Sequence, residues 1–409
     1  MALAGTSVGY VQGDTRTLGE LMHNRPSLQR PVVILGAALG LGVALVTASL
    51  AAPSAQAVAG RPLWAATGTV FTTDTAGGRI YIGGKFLKLR NTSQGGSREV
   101  SRLAAFSQST GELLDWAPRA DGDVRALEVA RDGTVYIGGN FTSVNGVPRS
   151  RIAAISPTGQ LVAGFAPQID KTVRSLTIQG GSLFAAGQFG RVDGQPRRGL
   201  VKLSLATGEV DPGWKANTTG GRAWASAGSR GTGRVIVGGS FTAVNGQQRP
   251  FLASVSAATG AVSAWAPTAA CASCAILDLD TDTSGNVYAG VGGARGGRAA
   301  SWSQSSNDMR WRVRGDGNVQ AIAWAGGVVY AGGHFGPVFD GRARNQLVAL
   351  SSNNGDLLPY RVDLGSNYYP GVWDISADSD YLRIAGGFAS VDGTSAARYA
   401  ELAPPGTAG

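Results

Sequence analysis

The sequence predicts an all-β protein, a seven-bladed β-propeller of four-stranded blades whose ring is closed by an N-terminal strand that completes the last blade. Three observations support this fold class. Glycine is in excess, with 62 of 409 residues, whereas only 15% of the residues are charged. A strand-like motif recurs with a period near 50 residues, and no comparable helical pattern competes with it. Hydrophobic residues make up 43% of the chain, which is enough to build a core.

The recurring motif is a strand that ends in Gly-Gly-x-Phe. Its copies, two of which have Ala for the first Gly, end at Phe86, Phe141, Phe189, Phe241, Phe335 and Phe388. A degenerate copy, VYAGVGG, covers residues 287–293. From Phe86 to Phe388 six intervals cover 302 residues, which gives seven copies of about 50 residues each.

Each copy is predicted to form four strands. In the second copy these are residues 124–130, 134–141, 151–156 and a last strand that ends at residues 165–167. The first two strands are joined by a turn at residues 131–133, and Asn145-Gly146 marks a second turn. Glycine beside Asn or Asp supplies the positive φ that tight hairpin turns require. Seven such units are typical of a β-propeller.

An aromatic residue marks the fourth strand of six copies, at Trp116, Phe165, Trp214, Trp265, Trp311 and Tyr360. The seventh copy stops after its third strand, at residues 399–402. We therefore expect the segment around Trp64 to supply the missing strand and to join the two ends of the chain.

The first 57 residues have the pattern of a secretory signal peptide. Arg25 and Arg30 precede an apolar run over residues 32–50, and Ala55-Gln56-Ala57 follows it. Cleavage after Ala57 would leave residues 58–409 as the propeller domain, which we expect to be a secreted or envelope-associated monomer. The apolar run is long enough to span a bilayer, so an uncleaved membrane anchor is the alternative.

The few cysteines and histidines restrict the chemistry. Cys271 and Cys274 are the two cysteines, and in an exported protein they are predicted to form a local disulfide. His23 and His334 are the two histidines, too few for a multi-histidine zinc site, and we expect no metal. The net charge of +9 is spread along the chain, which does not favour a nucleic-acid partner.

The units VYIGGNFTSVNG, VIVGGSFTAVNG and VYAGGHFGPVFDG resemble the delta-60 repeat. Each is followed by a basic residue and a short apolar strand, and then, in the clearest copies, by Thr-Gly and Trp-x-Pro. This resemblance implies a β-propeller of unknown function, exported from a high-GC Gram-positive bacterium, and it brings no functional residues. The copy at residues 287–297 departs from the pattern, because it lacks the Phe and the Asn-Gly turn.

The segments 110–116 and 259–265 are similar to the Thr-Gly-x-x-x-Trp docking motif of quinoprotein repeats, with one extra residue before the Trp. A tryptophan that recurs once per repeat also packs between blades, and we favour packing.

One face of the predicted ring carries the longer loops, and recognition usually involves loops on a rigid scaffold. The candidate ligand-binding residues on this face and in the central channel are Arg149, Arg197, Arg249, His334, Arg344, Trp324 and Trp373. Trp224 is also expected to line the channel. The same face would carry Asp121, Asp123 and Asp316.

The acidic alternation of Asp278, Asp280 and Asp282 resembles part of a calcium loop, but the segment lacks the downstream acidic residue of a full loop. We expect no cofactor and keep calcium as the alternative.

The sequence thus predicts an exported, non-enzymatic binding or scaffold module whose partner is a glycan or a protein held on the loop face. The alternative is an enzyme at that face. It would be a quinoprotein-like oxidoreductase, or a carboxylate-based glycan hydrolase or lyase that uses Asp121, Asp123 or Asp316.

Overall fold

Seven antiparallel sheets built on one plan make up most of the computed structural model, which describes residues 64–294, 296–365 and 371–405. These residues form strands, turns and loops without a helix, and accordingly this part of the chain contains no helix able to cross a membrane. The predicted signal peptide, residues 1–57, lies outside the described residues.

Each sheet starts with an inner strand that pairs with a middle strand, and the middle strand pairs with a third strand. The inner strands are Val70–Ala76, Val124–Val129, Val173–Gln179, Ala223–Ser229, Ala275–Thr281, Val319–Ala325 and Val372–Ala377. The middle strands are Arg79–Gly84, Val135–Gly139, Ser182–Gly187, Arg234–Gly239, Asn286–Gly292, Val328–Gly333 and Leu382–Gly386. The third strands are Leu103–Ser107, Ile152–Ile155, Leu200–Ser204, Leu252–Ser256, Arg298–Ser303, Leu347–Ser351 and Tyr399–Leu402.

The fourth strand differs from the prediction. It is regular in the fifth sheet alone, as Met309–Arg314, among the residues that the structure describes. Five other sheets have a single bridge in its place, for example Phe106 with Leu113. After this bridge the aromatic side chain turns into the space between sheets: the Trp116 ring packs on Tyr81, and its Nε1 donates to Ser156 O in the next sheet at 3.1 Å. A nearby proline, such as Pro118, cannot continue the ladder.

Short hairpins follow the middle strand in six copies. They are Lys88–Asn91 with Ser97–Glu99, Ser143–Val144 with Val147–Pro148, Arg191–Val192 with Gln195–Pro196, Ala243–Val244 with Gln247–Gln248, Val338–Phe339 with Arg342–Ala343, and Ser390–Val391 with Thr394–Ser395. In the second copy both turn residues have positive φ, 52° at Asn145 and 77° at Gly146, as a two-residue type I′ turn requires. Four further copies place Asp-Gly or Asn-Gly in the same turn.

These hairpins also link consecutive copies. The Asn145 Oδ1 accepts from the backbone N–H of Arg119, which belongs to the end of the first copy, at 2.8 Å. Asp193, Asn245 and Asp392 make the same contact. Two short strands, Thr218–Thr219 and Leu364–Gly365, extend this link by pairing with the next hairpin.

The N-terminal strand Trp64–Ala66 occupies the equivalent place beside the first hairpin, where it pairs with Lys88–Asn91. It does not form the fourth strand of the seventh sheet that we expected. Two hydrogen bonds join it to the seventh copy: Ala66 N–H donates to Ala397 O at 3.1 Å, and Arg398 Nη1 donates to Ala66 O at 2.6 Å. Ala66 also packs in one apolar cluster with Ala385 and Tyr399 of that copy.

The apolar core lies between neighbouring sheets. A typical cluster joins Tyr81 and Leu103 of the first sheet to Val124 and Ile137 of the second. The first glycine of the repeat motif permits this approach, because a Cβ on Gly138 would collide with the Val173 side chain of the next sheet.

Candidate functional site

A channel runs between the seven inner strands. Its cavity of about 500 Å³ is lined by residues from every one of these strands, and its volume is in the range of small-molecule sites. Each inner strand lies beside the inner strand of the following sheet, and the seventh lies beside the first.

A β-bulge interrupts all seven inner strands at the same position, where pairing with the middle strand skips one residue. The skipped residues, here called the bulge set, are Phe71, Arg125, Arg174, Trp224, Leu277, Gln320 and Trp373. A bulge re-aims the side chain that it carries. These seven residues alone line a cavity of about 100 Å³ within the channel. We call this part of the channel its mouth.

The bulge set contains Phe, Arg, Trp, Leu and Gln, with Arg and Trp each occurring twice, whereas the residue before each bulge is Val, Ala or Ile. Aromatic rings and guanidinium groups contact one another there. The Arg125 guanidinium lies over the Phe71 ring at 4.4 Å, and that of Arg174 lies over the Trp224 ring at 4.6 Å. Phe71 and Trp373 meet edge to face, with ring centroids 5.4 Å apart.

The two arginines of the bulge set differ in their charge partners. Arg125 pairs with Asp123 at 2.7 Å. Among the described residues, none of the ion pairs involves Arg174. Burial, followed by the positive charges of Arg125 and Arg222, lowers the pKa of Arg174 to about 10. At neutral pH the mouth therefore carries a partly buried positive charge without a carboxylate partner.

Farther along the channel, carboxylates connect successive inner strands. An inner edge strand leaves backbone N–H groups unpaired, and an acidic side chain of the preceding sheet accepts from them. The contacts are Asp374 with Thr73 N at 2.7 Å, Asp74 with Val129 N at 2.9 Å, Glu128 with Ile178 N at 3.0 Å, Asp278 with Ile322 N at 2.7 Å and Asp280 with Trp324 N at 2.6 Å.

Burial is the main cause of the pKa shifts of these carboxyl groups. It raises the pKa of Asp74, Asp280 and Asp374 to about 6 each, and that of Glu128 to about 8. Burial also raises the pKa of Asp278 well above its usual range. The third and fourth inner strands contain no acidic residue. There, Ser226 N–H donates to Ser175 Oγ at 3.0 Å instead.

The three predicted tryptophans line the channel, and a ligand role for them and for His334 remains a prediction. Trp224 and Trp373 belong to the bulge set. Trp324 lines the channel nearer its other end, with the Arg230 guanidinium 5.8 Å from its ring. His334 contacts Trp373 edge to face at 5.2 Å, and burial lowers the pKa of its imidazole.

The four predicted loop arginines point instead to backbone carbonyls of their own copies. Arg149, Arg197 and Arg344 are 6%, 4% and 8% exposed, and Arg249 is half-buried. Arg249 donates to Ser263 O at 2.9 Å and to Trp265 O at 3.2 Å. Equivalent bonds join the other three to the segment about 14 residues downstream. These contacts explain why arginine recurs at this position, and a ligand role for the four remains a prediction.

The loop aspartates of the predicted enzyme alternative also have partners within the fold. Asp121 accepts from Thr142 N at 2.7 Å and Ser143 N at 2.9 Å. Burial opposes ionisation, but a hydrogen bond from the Thr142 hydroxyl, together with these two, outweighs it and lowers the pKa of Asp121 to about 2. Asp316 accepts from Gly336 N at 2.7 Å. A carboxyl group with a pKa as low as that of Asp121 is a poor general acid.

The three aspartates of the calcium alternative have hydrogen-bond partners within the fold. The carboxylates of Asp278 and Asp280 bind backbone N–H groups of the sixth inner strand. Asp282 accepts from Asn286 N at 2.8 Å and from the Tyr288 hydroxyl at 2.8 Å. Over the described residues, no group of three or more acidic, His or Cys side chains could hold a metal ion.

Cys271 and Cys274 lie at disulfide distance, with Cα atoms 6.0 Å apart. They pack at the edge of the core of the fifth sheet. The contact is local, and it lies outside the channel.

The sequence alone did not point to Phe71, Arg125, Arg174, Leu277 or Gln320. Their signature is a variable residue that follows Val, Ala or Ile at the start of each first strand. Aligning the seven copies at this position would have identified them.

Comparisons with known proteins agree with this architecture. The family model described as "Domain of unknown function (DUF5122) beta-propeller" matches residues 130–164 and 231–253. A search of the curated proteins gave no match.

Among solved structures, the chain is similar to the WD40 β-propeller domain of Doa1, with a TM-score of 0.54, 10% identity and coverage of 85% of this chain and 97% of that one. It is similar to the RRP9 WD40 repeats, with a TM-score of 0.54, 14% identity and coverage of 85% and 99%. A computationally designed protein, Ika8, matches with a TM-score of 0.51, 12% identity and coverage of 84% and 99%. Together with the all-β sheets around one channel, these likenesses show that the chain has a β-propeller fold.

Proposed function

We propose that this protein is an exported, seven-bladed β-propeller that acts as a non-enzymatic binding module, and that its ligand enters the mouth of the channel and contacts the bulge set. The ligand is a glycan or an exported protein. The observation that supports this most strongly is that seven equivalent positions, re-aimed by the same bulge, hold aromatic, guanidinium, amide and aliphatic side chains around one cavity.

The closed ring in this proposal is supported by contacts between the first and last copies. Asp374 accepts from Thr73 N–H, 301 residues away, just as Asp74 accepts from Val129 N–H between the first and second sheets. Phe106 of the first sheet stacks on Tyr399 of the seventh, with ring centroids 5.6 Å apart. The cysteine pair is in keeping with export to an oxidising compartment.

The non-enzymatic character is supported by the use of the carboxylates. The acidic side chains of the channel and the loop aspartates Asp121 and Asp316 accept hydrogen bonds from backbone N–H groups. They act as links between strands and loops in the described part of the chain.

The test is retention on immobilised polysaccharides and exported proteins, followed by analysis of the eluate for cleavage products. We expect the purified protein to retain at least one ligand uncut. A double variant, Trp224→Ala with Trp373→Ala, should bind at least about tenfold more weakly, because buried aromatic side chains dominate binding sites.

The control is Val147→Ala, which removes an exposed apolar side chain (44% exposed) from a hairpin. It should bind as the wild type does. Cleavage of a glycan would favour the enzyme alternative. Unchanged binding by the double variant, or retention of nothing, would contradict the proposal.

A further inference from the structure

We infer that the ligand of the channel mouth is an anionic saccharide, in which a sugar ring packs on the aromatic side chains of the bulge set and a carboxylate or phosphate group binds Arg174. This inference rests on the proposed function, and it assigns the ligand class to the same site.

The positive charge of Arg174 favours an anionic ligand. The Arg174 guanidinium is partly buried, lies over Trp224, and has positive neighbours in Arg125 and Arg222. A buried charge is costly unless it is paired. The two inner strands on this side, Val173–Gln179 and Ala223–Ser229, contribute no acidic side chain that could pair with it. An anionic group of a ligand would supply the missing partner, and guanidinium binds carboxylate and phosphate groups through two parallel hydrogen bonds.

The surface beside the mouth is basic. A groove between the third and fourth copies, with a cavity of about 250 Å³, is lined by Lys171, Arg198 and Arg222. All three side chains are exposed. Lys171 precedes Arg174 by three residues, and Arg222 precedes Trp224 by two, so the groove begins beside the mouth. A chain of anionic sugars could therefore continue from the mouth over a basic surface.

Unpartnered polar atoms in the channel favour a sugar over other anions. Buried polar atoms along the channel lack hydrogen-bond partners, among them Gln320 Oε1 and Trp324 Nε1. One is an acceptor and the other is a donor, and a hydroxyl group can satisfy either. Trp324 lies nearer the other end of the channel, but Gln320 is a member of the bulge set, so an acceptor for a hydroxyl group lies at the mouth together with the aromatic surface of Phe71 and Trp373.

The test is titration calorimetry with an oligouronate, the same oligosaccharide after reduction of its carboxyl groups, a phosphate-bearing oligosaccharide, and a polyglutamate peptide. We expect the oligouronate or the phosphate-bearing saccharide to bind, and the comparison of the two identifies the source of the anion. The neutral oligosaccharide should bind at least about tenfold more weakly, the size expected for one charge-assisted contact.

The variants test the site. Arg174→Gln should weaken binding of the acidic saccharide at least about tenfold, and Arg174→Lys should weaken it less because the charge remains. Arg131→Gln removes the same charge from an exposed turn outside the channel lining and should have little effect. A circular dichroism melt of each variant verifies that it is folded.

The outcomes separate this inference from the proposed function. Equal binding of the neutral saccharide, tighter binding of polyglutamate, or no effect of Arg174→Gln would overturn the anionic saccharide, while loss of binding in the Trp224→Ala variant would still support a site at the mouth. Binding that ignores both Arg174 and Trp224 would overturn both.

Discussion

The buried acidic side chains of the channel accept hydrogen bonds from backbone N–H groups that have no neighbouring strand to pair with. Glu128 is typical: its Oε1 accepts from Ile178 N–H at 3.0 Å, and it lies beside Asp74, whose charge adds to burial in raising its pKa to about 8. Such a group satisfies a buried N–H that would otherwise cost free energy. It does so at the expense of desolvating a carboxyl group, so its protonation state affects stability.

The raised pKa of Glu128 makes the stability of the protein depend on pH. Its pKa is about 8 in the folded protein and 4.5 ordinarily, so the folded state holds the proton between these values and the unfolded state does not. The free energy of unfolding therefore falls as the pH rises from about 4.5 to about 8. We expect Glu128→Gln, whose amide oxygen can still accept from Ile178 N–H, to flatten this part of the profile. Melting temperatures across the range measure it.

Glu112→Gln is the control for that experiment, since Glu112 is exposed and lies outside the channel. Its profile should follow the wild type. A Glu128→Gln variant that keeps the full pH dependence would show that the carboxyl group does not carry it.

At the scale of strands and turns, the Gly-Gly-x-Phe motif serves close packing. The second glycine of each motif contacts the backbone just before the inner strand of the same sheet. A Cβ on Gly139, for example, would overlap the Asp123 carbonyl oxygen. The equivalent glycines Gly187, Gly239, Gly333 and Gly386 face the same carbonyl position. These glycines are therefore required for space rather than for a turn.

Gly139→Ala should lower the free energy of unfolding by about 1–3 kcal/mol, because the backbone must move to admit the methyl group. Gly164→Ala is the matched control in the same copy, since a Cβ there meets nothing within 4 Å. Chemical denaturation of both variants tests this. Equal stability of the two would contradict the packing account.

Some features of the strands and turns could be predicted from the sequence, and others could not. Turn chemistry is local, so the turn at Asn145-Gly146 was predicted correctly, but the short hairpin that this turn closes was not predicted. The bulge inserts one residue into a strand, and strict alternation gives no sign of it. Arg149 and its equivalents could not be assigned, because their carbonyl partners lie about 14 residues away in a segment without regular pairing. The fourth strand was overpredicted because its aromatic residue serves packing between sheets.

For the whole molecule, the period of about 50 residues predicted the repeated unit in which an inner, a middle and a third strand pair in order. How the ends meet depends on contacts such as that between Asp374 and Thr73, which no local pattern reveals. The channel exists because seven inner strands face one another, and its lining follows from the bulge and from the residue that each copy places there.

If the ring is closed as proposed, the contact between the seventh and first sheets should matter as much as the one between the first and second. Asp374 and Asp74 make matched contacts, each with one N–H of the next sheet and one N–H of its own strand. Asp374→Ala and Asp74→Ala should therefore destabilise the protein by similar amounts, about 1–3 kcal/mol each. Thermal melts compare them. A harmless Asp374→Ala beside a damaging Asp74→Ala would indicate an open ring.

A crystal structure of the protein with its best-retained saccharide would show whether the bulge set forms the ligand site. We expect a sugar ring at the channel mouth against Trp224 or Trp373, with its acidic group within hydrogen-bond distance of the Arg174 guanidinium. A ligand bound at the outer sheet edges or at the hairpin turns, with the mouth unoccupied, would contradict it.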